Sequence, residues 1–253
     1  MLLCHSCCTV FTARVQGEDD PHSYYVGYEY CRTGNPTRAA FEQAVASAES
    51  GKYAVAFSSG SAATSAVVHL LEAGSHVVSI DDVYGGTQRY FKRLVEKNST
   101  IEFSFCDIGT DGELERAIRP NTKLIWMETP TNPTLKIADI RKIAAIAKAH
   151  NILLAVDNTF MSSYFQRPLE LGADMVINSV TKFVNGHSDV VMGFVATRSK
   201  QLWADLRFVQ NGTSGVEVRV VICTAFSLVV SSRASQVWVP CRHRSTATWL
   251  CGA

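Results

Sequence analysis

The sequence predicts an α/β fold whose mostly parallel sheet is covered by helices on both faces. Short, near-continuous apolar runs recur through the middle of the chain, and helical patterns with one apolar face separate most of them. Strands buried on both faces read in that unbroken way, and their alternation with helices is the signature of parallel crossover units. Small and polar residues also gather just after each run, where open α/β sheets collect their ligands.

Taken in order, Tyr53–Phe57 reads as the first strand, and Ser58-Ser59-Gly60-Ser61 leads into a helix. Ser61 is expected to cap that helix and Gly74 to stand just past its end in the left-handed region. His76–Ile80, Ile101–Phe105, Leu124–Met127, Ile152–Val156, Met175–Val180 and Val190–Ala196 follow, which predicts a seven-stranded sheet. The helix expected over Asp139–His150 presents Ile140, Ile143, Ala144 and Ala147 on one face. Residues 1–28 lack a strong period and read as an N-terminal arm, and 29–212 read as one large domain. Residues 213–253 read as a divergent tail with a single acidic residue, Glu217.

Composition narrows the function. A chain of 253 residues, 47% hydrophobic and 19% charged, can bury a sizeable core. A net charge of +1 offers no basic face for nucleic acid. No apolar run reaches the roughly 18 residues of a membrane span, and Met1-Leu2-Leu3-Cys4 lacks the form of a secretory leader. The expectation is a soluble cytoplasmic protein. Cys4-His5-Ser6-Cys7 and Cys241-Arg242-His243 do not combine into a four-ligand zinc set, so no metal is expected. No Gly-x-Gly-x-x-Gly pattern follows the first strand, which disfavours a dinucleotide dehydrogenase.

Two residues carry the chemistry. Asp157 directly follows the fifth run, and Lys182 closes Ser179-Val180-Thr181-Lys182 after the sixth. An amine for a Schiff base and an acid for a pyridinium nitrogen are what a pyridoxal-phosphate enzyme needs. Alone, the lysine reads equally well as a surface charge and the aspartate as a helix cap. Gly60 and Ser61 at a strand-to-helix junction suit a phosphate, as do the hydroxyls of Ser179 and Thr181. Tyr84 in Val83-Tyr84-Gly85-Gly86-Thr87 could lay its ring on a flat heteroaromatic.

The segment Asp174-Met175-Val176-Ile177-Asn178-Ser179-Val180-Thr181-Lys182-Phe183-Val184-Asn185-Gly186-His187-Ser188 resembles a long and specific signature. It is the pyridoxal-lysine signature of the enzymes of cysteine and methionine metabolism, the cystathionine lyase and synthase family. Tyr30-Cys31-Arg32-Thr33-Gly34-Asn35-Pro36-Thr37-Arg38, Glu128-Thr129-Pro130-Thr131-Asn132-Pro133-Thr134 and Val156-Asp157-Asn158-Thr159-Phe160 carry the same resemblance in order.

What the resemblance implies is a large domain of the aspartate aminotransferase type (fold type I) holding pyridoxal 5'-phosphate. Lys182 would be the Schiff-base lysine and proton shuttle, and Asp157 the partner of the pyridine nitrogen. Tyr84 would stack on the ring and act as a base. Gly60, Ser61, Ser179 and Thr181 would bind the phosphate, and Asn132 would lie beside the ring hydroxyl. Arg89 would stand near the substrate. Tyr30 and Arg32 would reach the phosphate of a neighbouring subunit, which implies a homo-oligomer, usually a tetramer, with shared sites. The implied activity is carbon–sulfur lysis of L-cystathionine to cysteine, 2-oxobutanoate and ammonia. Cystathionine γ-synthesis, methionine γ-elimination or a catalytically silent truncated product are the alternatives. The family's smaller C-terminal domain, source of the arginine that grips the substrate carboxylate, is expected to be missing.

Overall fold

A computed structural model of the protein describes residues 32–213 and residue 215. Tyr30, the cysteine-rich ends and nearly all of 213–253 lie outside the described residues. Helix α1 (Pro36–Ala48) begins where the Asn35 side chain accepts the Arg38 N–H at 3.0 Å, with Pro36 in the first turn. Strand β1 (Tyr53–Phe57) and helix α2 (Gly60–Val68) follow, then β2 (His76–Ile80) and α3 (Gly85–Arg89). A π-helical turn, Tyr90–Val95, joins α3 to α4 (Glu96–Asn98). The remainder runs β3 (Glu102–Cys106), α5 (Glu113–Ala117), β4 (Thr122–Glu128), α6 (Ile140–Ala149) and β5 (Leu153–Asp157). It closes with α7 (Ser162–Phe165), β6 (Met175–Ser179), β7 (Gly193–Thr197) and α8 (Lys200–Thr213).

All seven strands form one sheet in the order β1-β7-β6-β5-β4-β2-β3. Strand β7 is antiparallel to both β1 and β6, and every other pair is parallel. The mostly parallel α/β expectation therefore holds, with one inserted antiparallel strand. Because β1 and β6 both oppose β7, they run the same way, and the carboxyl ends of six strands share one edge.

Helix α6 is framed as expected. Asp139 caps it by accepting the Arg141 N–H at 2.8 Å, and Ile140, Ile143, Ala144 and Ala147 are its buried residues. Helix α2 differs from expectation at both ends. Its cap is Ser59, whose hydroxyl accepts the Ala62 N–H at 3.0 Å, and Ser61 stands inside the first turn. It ends at Val68, after which Leu70 and Leu71 make tighter bonds to Val67 and Val68. The His69 ring also turns back onto the Ser65 carbonyl oxygen at 2.7 Å, competing for the acceptor the helix would use. Gly74 has the positive φ foreseen (80°), but in the turn before β2.

The last strand starts at Gly193, later than the apolar run suggests. Met192 explains the delay: its N–H donates to the Thr181 hydroxyl at 3.1 Å and its carbonyl accepts the Thr181 N–H at 3.3 Å. Those groups are lost to the ladder. On the far half of the sheet the core is aromatic: Phe91, from the π turn, stacks on Phe103 at 4.6 Å and meets Trp126 edge-on at 5.6 Å. Among the described residues no helix is long and apolar enough to cross a membrane.

Gly193 is a packing requirement. A Cβ there would lie 2.4 Å from the Ser59 carbonyl oxygen, a backbone atom with nowhere to move. Gly193→Ala is expected to lower unfolding stability by about 1–3 kcal/mol, read from urea denaturation. Wild-type stability in that variant would show that Ser59 and β7 do not approach so closely.

Candidate active site

Five loops rise from the common carboxyl edge, and they include most of the residues singled out above. At one side the start of α2 meets the end of β6. A Cβ on Gly60 would sit 2.8 Å from Ser179 Cβ and 3.1 Å from its hydroxyl oxygen. Glycine at 60, with glycine at 193 between, lets three backbone segments converge there. Ser59 takes the amides of Ala62 and Ala63 through its hydroxyl and its carbonyl oxygen. Within the helix the first-turn N–H groups of Gly60 and Ser61 have no acceptor, so they are donors available to an anion.

Asp157 stands at the end of β5, the strand beside β6 and so next to that junction. Its Oδ1 accepts the Thr159 N–H at 3.0 Å, and Thr159 Oγ1 accepts the Ser179 N–H at 2.9 Å. Thr159 thus joins the acid to the strand end that faces Gly60. Lys182 lies three residues beyond Ser179 in an exposed turn, its N–H donating to the Ser179 carbonyl at 3.1 Å. The same turn is closed by the Asn185 N–H on the Val180 carbonyl at 2.9 Å. The Thr181 hydroxyl points back to Met192, donating to its carbonyl oxygen at 3.3 Å, and so shapes this turn.

Glu128, on β4, is paired in register with Asp157. The sequence reading named it only as part of a loop motif, and the structure makes it the acid's neighbour. Burial is the main cause that raises the Glu128 pKa, to about 9, and the Asp157 charge adds to it. The Tyr84 N–H, which donates to Glu128 Oε2 at 3.0 Å, pulls the other way. Burial also raises Asp157, opposed by the Thr159 hydroxyl and amide. Desolvation thus favours the neutral form of both carboxyls, and the two titrate as a coupled pair.

Tyr84 precedes α3 with its ring 51% exposed over the edge, and Arg89 is exposed at the end of the same helix. Asn132 is half-buried, in a loop whose Thr129-Pro130 and Asn132-Pro133 bonds are cis. Asp82 fastens that loop by accepting from the hydroxyls of Thr131 and Thr134 and from the Thr134 N–H. Asp82 and Tyr84 share one loop, so the Asn132 and Tyr84 segments are tied together. Arg32 is held apart from these residues: its guanidinium donates to the Asn211 carbonyl at 2.8 Å and to the Asn211 side-chain oxygen at 3.2 Å. Tyr30 lies outside the described residues.

An acid and an amine carried on neighbouring parallel strands, beside a helix start that can take an anion, define an α/β domain that holds a cofactor at its sheet edge. Comparison with known proteins makes that class specific. The family model described as Cys/Met metabolism PLP-dependent enzyme matches residues 6–225, and the chain belongs to that family. The match begins inside the segment read as an arm and runs past residue 212.

Cystathionine gamma-lyase of Bacillus subtilis (strain 168) is 55% identical over 192 residues, covering 76% of this chain and 50% of that protein. The enzyme of that name from Dictyostelium discoideum is 51% identical over 199 residues, covering 79% and 51%. The one from Homo sapiens is 52% identical over 202 residues, covering 79% and 49%. Among solved structures, cystathionine gamma-lyase from Lactobacillus plantarum complexed with L-serine superposes with a TM-score of 0.75 at 42% identity, covering 83% of this chain and 54% of that one. MetB from Corynebacterium glutamicum gives a TM-score of 0.76 at 41% identity, covering 89% and 57%. The chain spans about half the length of the curated relatives it matches.

The family's cofactor, pyridoxal 5'-phosphate, suits the donors present. The Gly60–Ser179 junction has no Cβ in its way and exposes amides and a hydroxyl, which a phosphate can use. A half-buried acid, an exposed aromatic ring and an exposed amine complete the set that the rest of the cofactor would use.

Proposed function

We propose that this chain forms the pyridoxal-phosphate-binding part of a carbon–sulfur lyase that splits L-cystathionine to cysteine, 2-oxobutanoate and ammonia. The observation that carries the reading is the gathering of Gly60, Ser179, Asp157 and Lys182 on one sheet edge, in a chain 51–55% identical to cystathionine gamma-lyases over that region.

Bound pyridoxal phosphate supplies an electron-withdrawing ring that stabilises negative charge on the substrate's α-carbon. The first-turn amides of α2 at Gly60 and Ser61, with the Ser179 hydroxyl, bind its phosphate. Thr181 contributes by shaping the turn that presents Ser179 and Lys182. Tyr84 offers its ring face, and its phenol oxygen serves as a base toward the incoming amine. Asp157 would pair with the ring nitrogen: a cation beside it would favour its charged form, and the raised Glu128 next door would keep the local charge to one. Asn132 would be the residue available to the ring hydroxyl. Lys182 Nζ would be the amine that holds the cofactor's aldehyde and would take the substrate's α-proton; loss of a second proton from the β-carbon would then let the thiol leave from the γ-carbon. Arg89 stands toward the substrate. Tyr30 and Arg32 would serve the cofactor phosphate of a neighbouring subunit, which would make the working protein a homo-oligomer with shared sites.

The test is to titrate the purified chain with pyridoxal phosphate and follow its visible absorption before and after borohydride. A borohydride-sensitive band together with 2-oxobutanoate release from cystathionine is the expected result. A band with release from methionine alone, or with thiol replacement instead of elimination, would move the reading to a methionine γ-lyase or a γ-synthase. A band without any turnover would mark a catalytically silent product, and no band would overturn the reading altogether.

A further inference from the structure

Asp157 and Ser179 point to one face of the sheet, and the residues beside them, Asn158 and Asn178, point to the other. Register gives this directly: Asp157 pairs with Ile177, so the next residue on each strand shares the reverse face. There a single side chain meets both. Glu49, the residue that ends α1, is 0% exposed. Asn178 Nδ2 donates to its Oε1 at 2.7 Å, and Asn158 Nδ2 lies 3.4 Å from both of its oxygens.

The bonds continue sideways. Gln166 Nε2 donates to Asn158 Oδ1 and to the Thr129 carbonyl, each at 2.9 Å, and Asn158 Nδ2 donates to the Gln166 carbonyl at 2.8 Å. Thr129 follows Glu128 at the end of β4. The ends of β4, β5 and β6 are therefore tied from behind by one hydrogen-bonded cluster rooted at Glu49. In front, the same strand ends carry Glu128, Asp157 and Ser179.

We propose that Glu49 is a positioning residue for the cofactor site: through Asn158 and Asn178 it sets the height and spacing of Asp157 and Ser179. The inference rests on the function proposed above for its consequence in cofactor binding, but the clamp itself does not. Glu49 reaches no cofactor atom from the reverse face, so it acts only through the two asparagines. Its burial fits the role. Desolvation raises its pKa to about 8, opposed by the Asn158 and Asn178 bonds and the Arg167 charge, so the carboxyl is mostly protonated at neutral pH. A protonated carboxyl is matched in size and hydrogen-bonding by glutamine. Asn178 Oδ1 is also buried without a hydrogen-bond partner, and a glutamine amide could supply one.

The experiment compares Glu49→Ala and Glu49→Gln in the full chain, with Asn178→Ser as a second disruption should Glu49→Ala fail to fold. Hydrogen exchange without cofactor reads residues 157–160 and 177–182 against β2 and β3, and the visible band gives pyridoxal-phosphate affinity. In Glu49→Ala, or in Asn178→Ser if that is the variant that folds, exchange should accelerate at the two strand ends ahead of β2 and β3. Affinity should fall about tenfold, because buried donors lose their acceptor. Glu49→Gln should restore both. Uniform acceleration across the sheet, unchanged affinity in the disrupted variant, or failure of glutamine to rescue would overturn the proposal. A wild-type chain with no band would instead sink the cofactor reading, while the exchange comparison still decides whether Glu49 holds the strand ends.

Discussion

Lys182→Ala is expected to abolish the borohydride-sensitive visible band that pyridoxal phosphate produces with the wild-type chain. On the proposed reading turnover should fall by about a thousandfold or more, since one residue would supply both the nucleophilic amine and the proton carrier. The side chain is exposed in a turn and makes no part of the core. Its loss should leave the thermal midpoint of the cofactor-free protein unchanged, which separates a chemical effect from unfolding. Lys182→Arg keeps the charge but not the amine, and should behave like the alanine variant. A band that persists in Lys182→Ala and is still fixed by borohydride would show that another amine does this work.

The second large effect is on the pH dependence of stability. Glu128 has its pKa raised to about 9 in the folded protein, against an ordinary value of 4.5. The folded state therefore holds a proton that the unfolded state gives up. Stability from this source is fully present below the ordinary value and is lost as pH rises through about 9. Glu49, raised to about 8, and Asp157, also raised, act with the same sign. Glu128→Gln removes the largest contribution because an amide does not ionise. Its melting curve should match wild type near pH ~5 and lie higher by about 4 °C or more near pH ~9. Curves that stay parallel across that range would show that Glu128 ionises normally in the folded chain.

Much of this architecture can be read from the residues alone, for a physical reason. The strand runs are apolar because both faces of the sheet are covered, and α6 announces itself through the Asp139 cap and its apolar stripe. The antiparallel placement of β7 was not legible. A strand buried on both faces has the same composition whichever way it runs, and only its partners set the direction. The cap of α2 was misplaced because three serines flank Gly60, and choosing Ser59 requires knowing which hydroxyl meets the Ala62 amide.

The site divides similarly. Asp157 stands directly after an apolar run, and Ser179 and Lys182 stand at and just past the end of the next, so position alone marks them. Glu128 closes a run too, but its significance depends on which strand lies beside β4, which register decides. Glu49 gives no signal at all: an acid at a helix end ordinarily faces water, and this one is buried because two asparagines from distant strands converge on it.

The inserted β7 also bears on the order in which the molecule can assemble. Among the described residues strand β1 hydrogen-bonds to no strand but β7, so it joins the ladder through residues 193–197, while α2 itself packs on β6 and β7. The β1–β7 ladder thus closes across a connection of well over a hundred residues, after the β2–β6 block could already have formed from shorter connections. A chain emerging from the ribosome would carry β1 long before its only described partner strand, so pairing at residues 53–57 would report that residues 193–197 have docked.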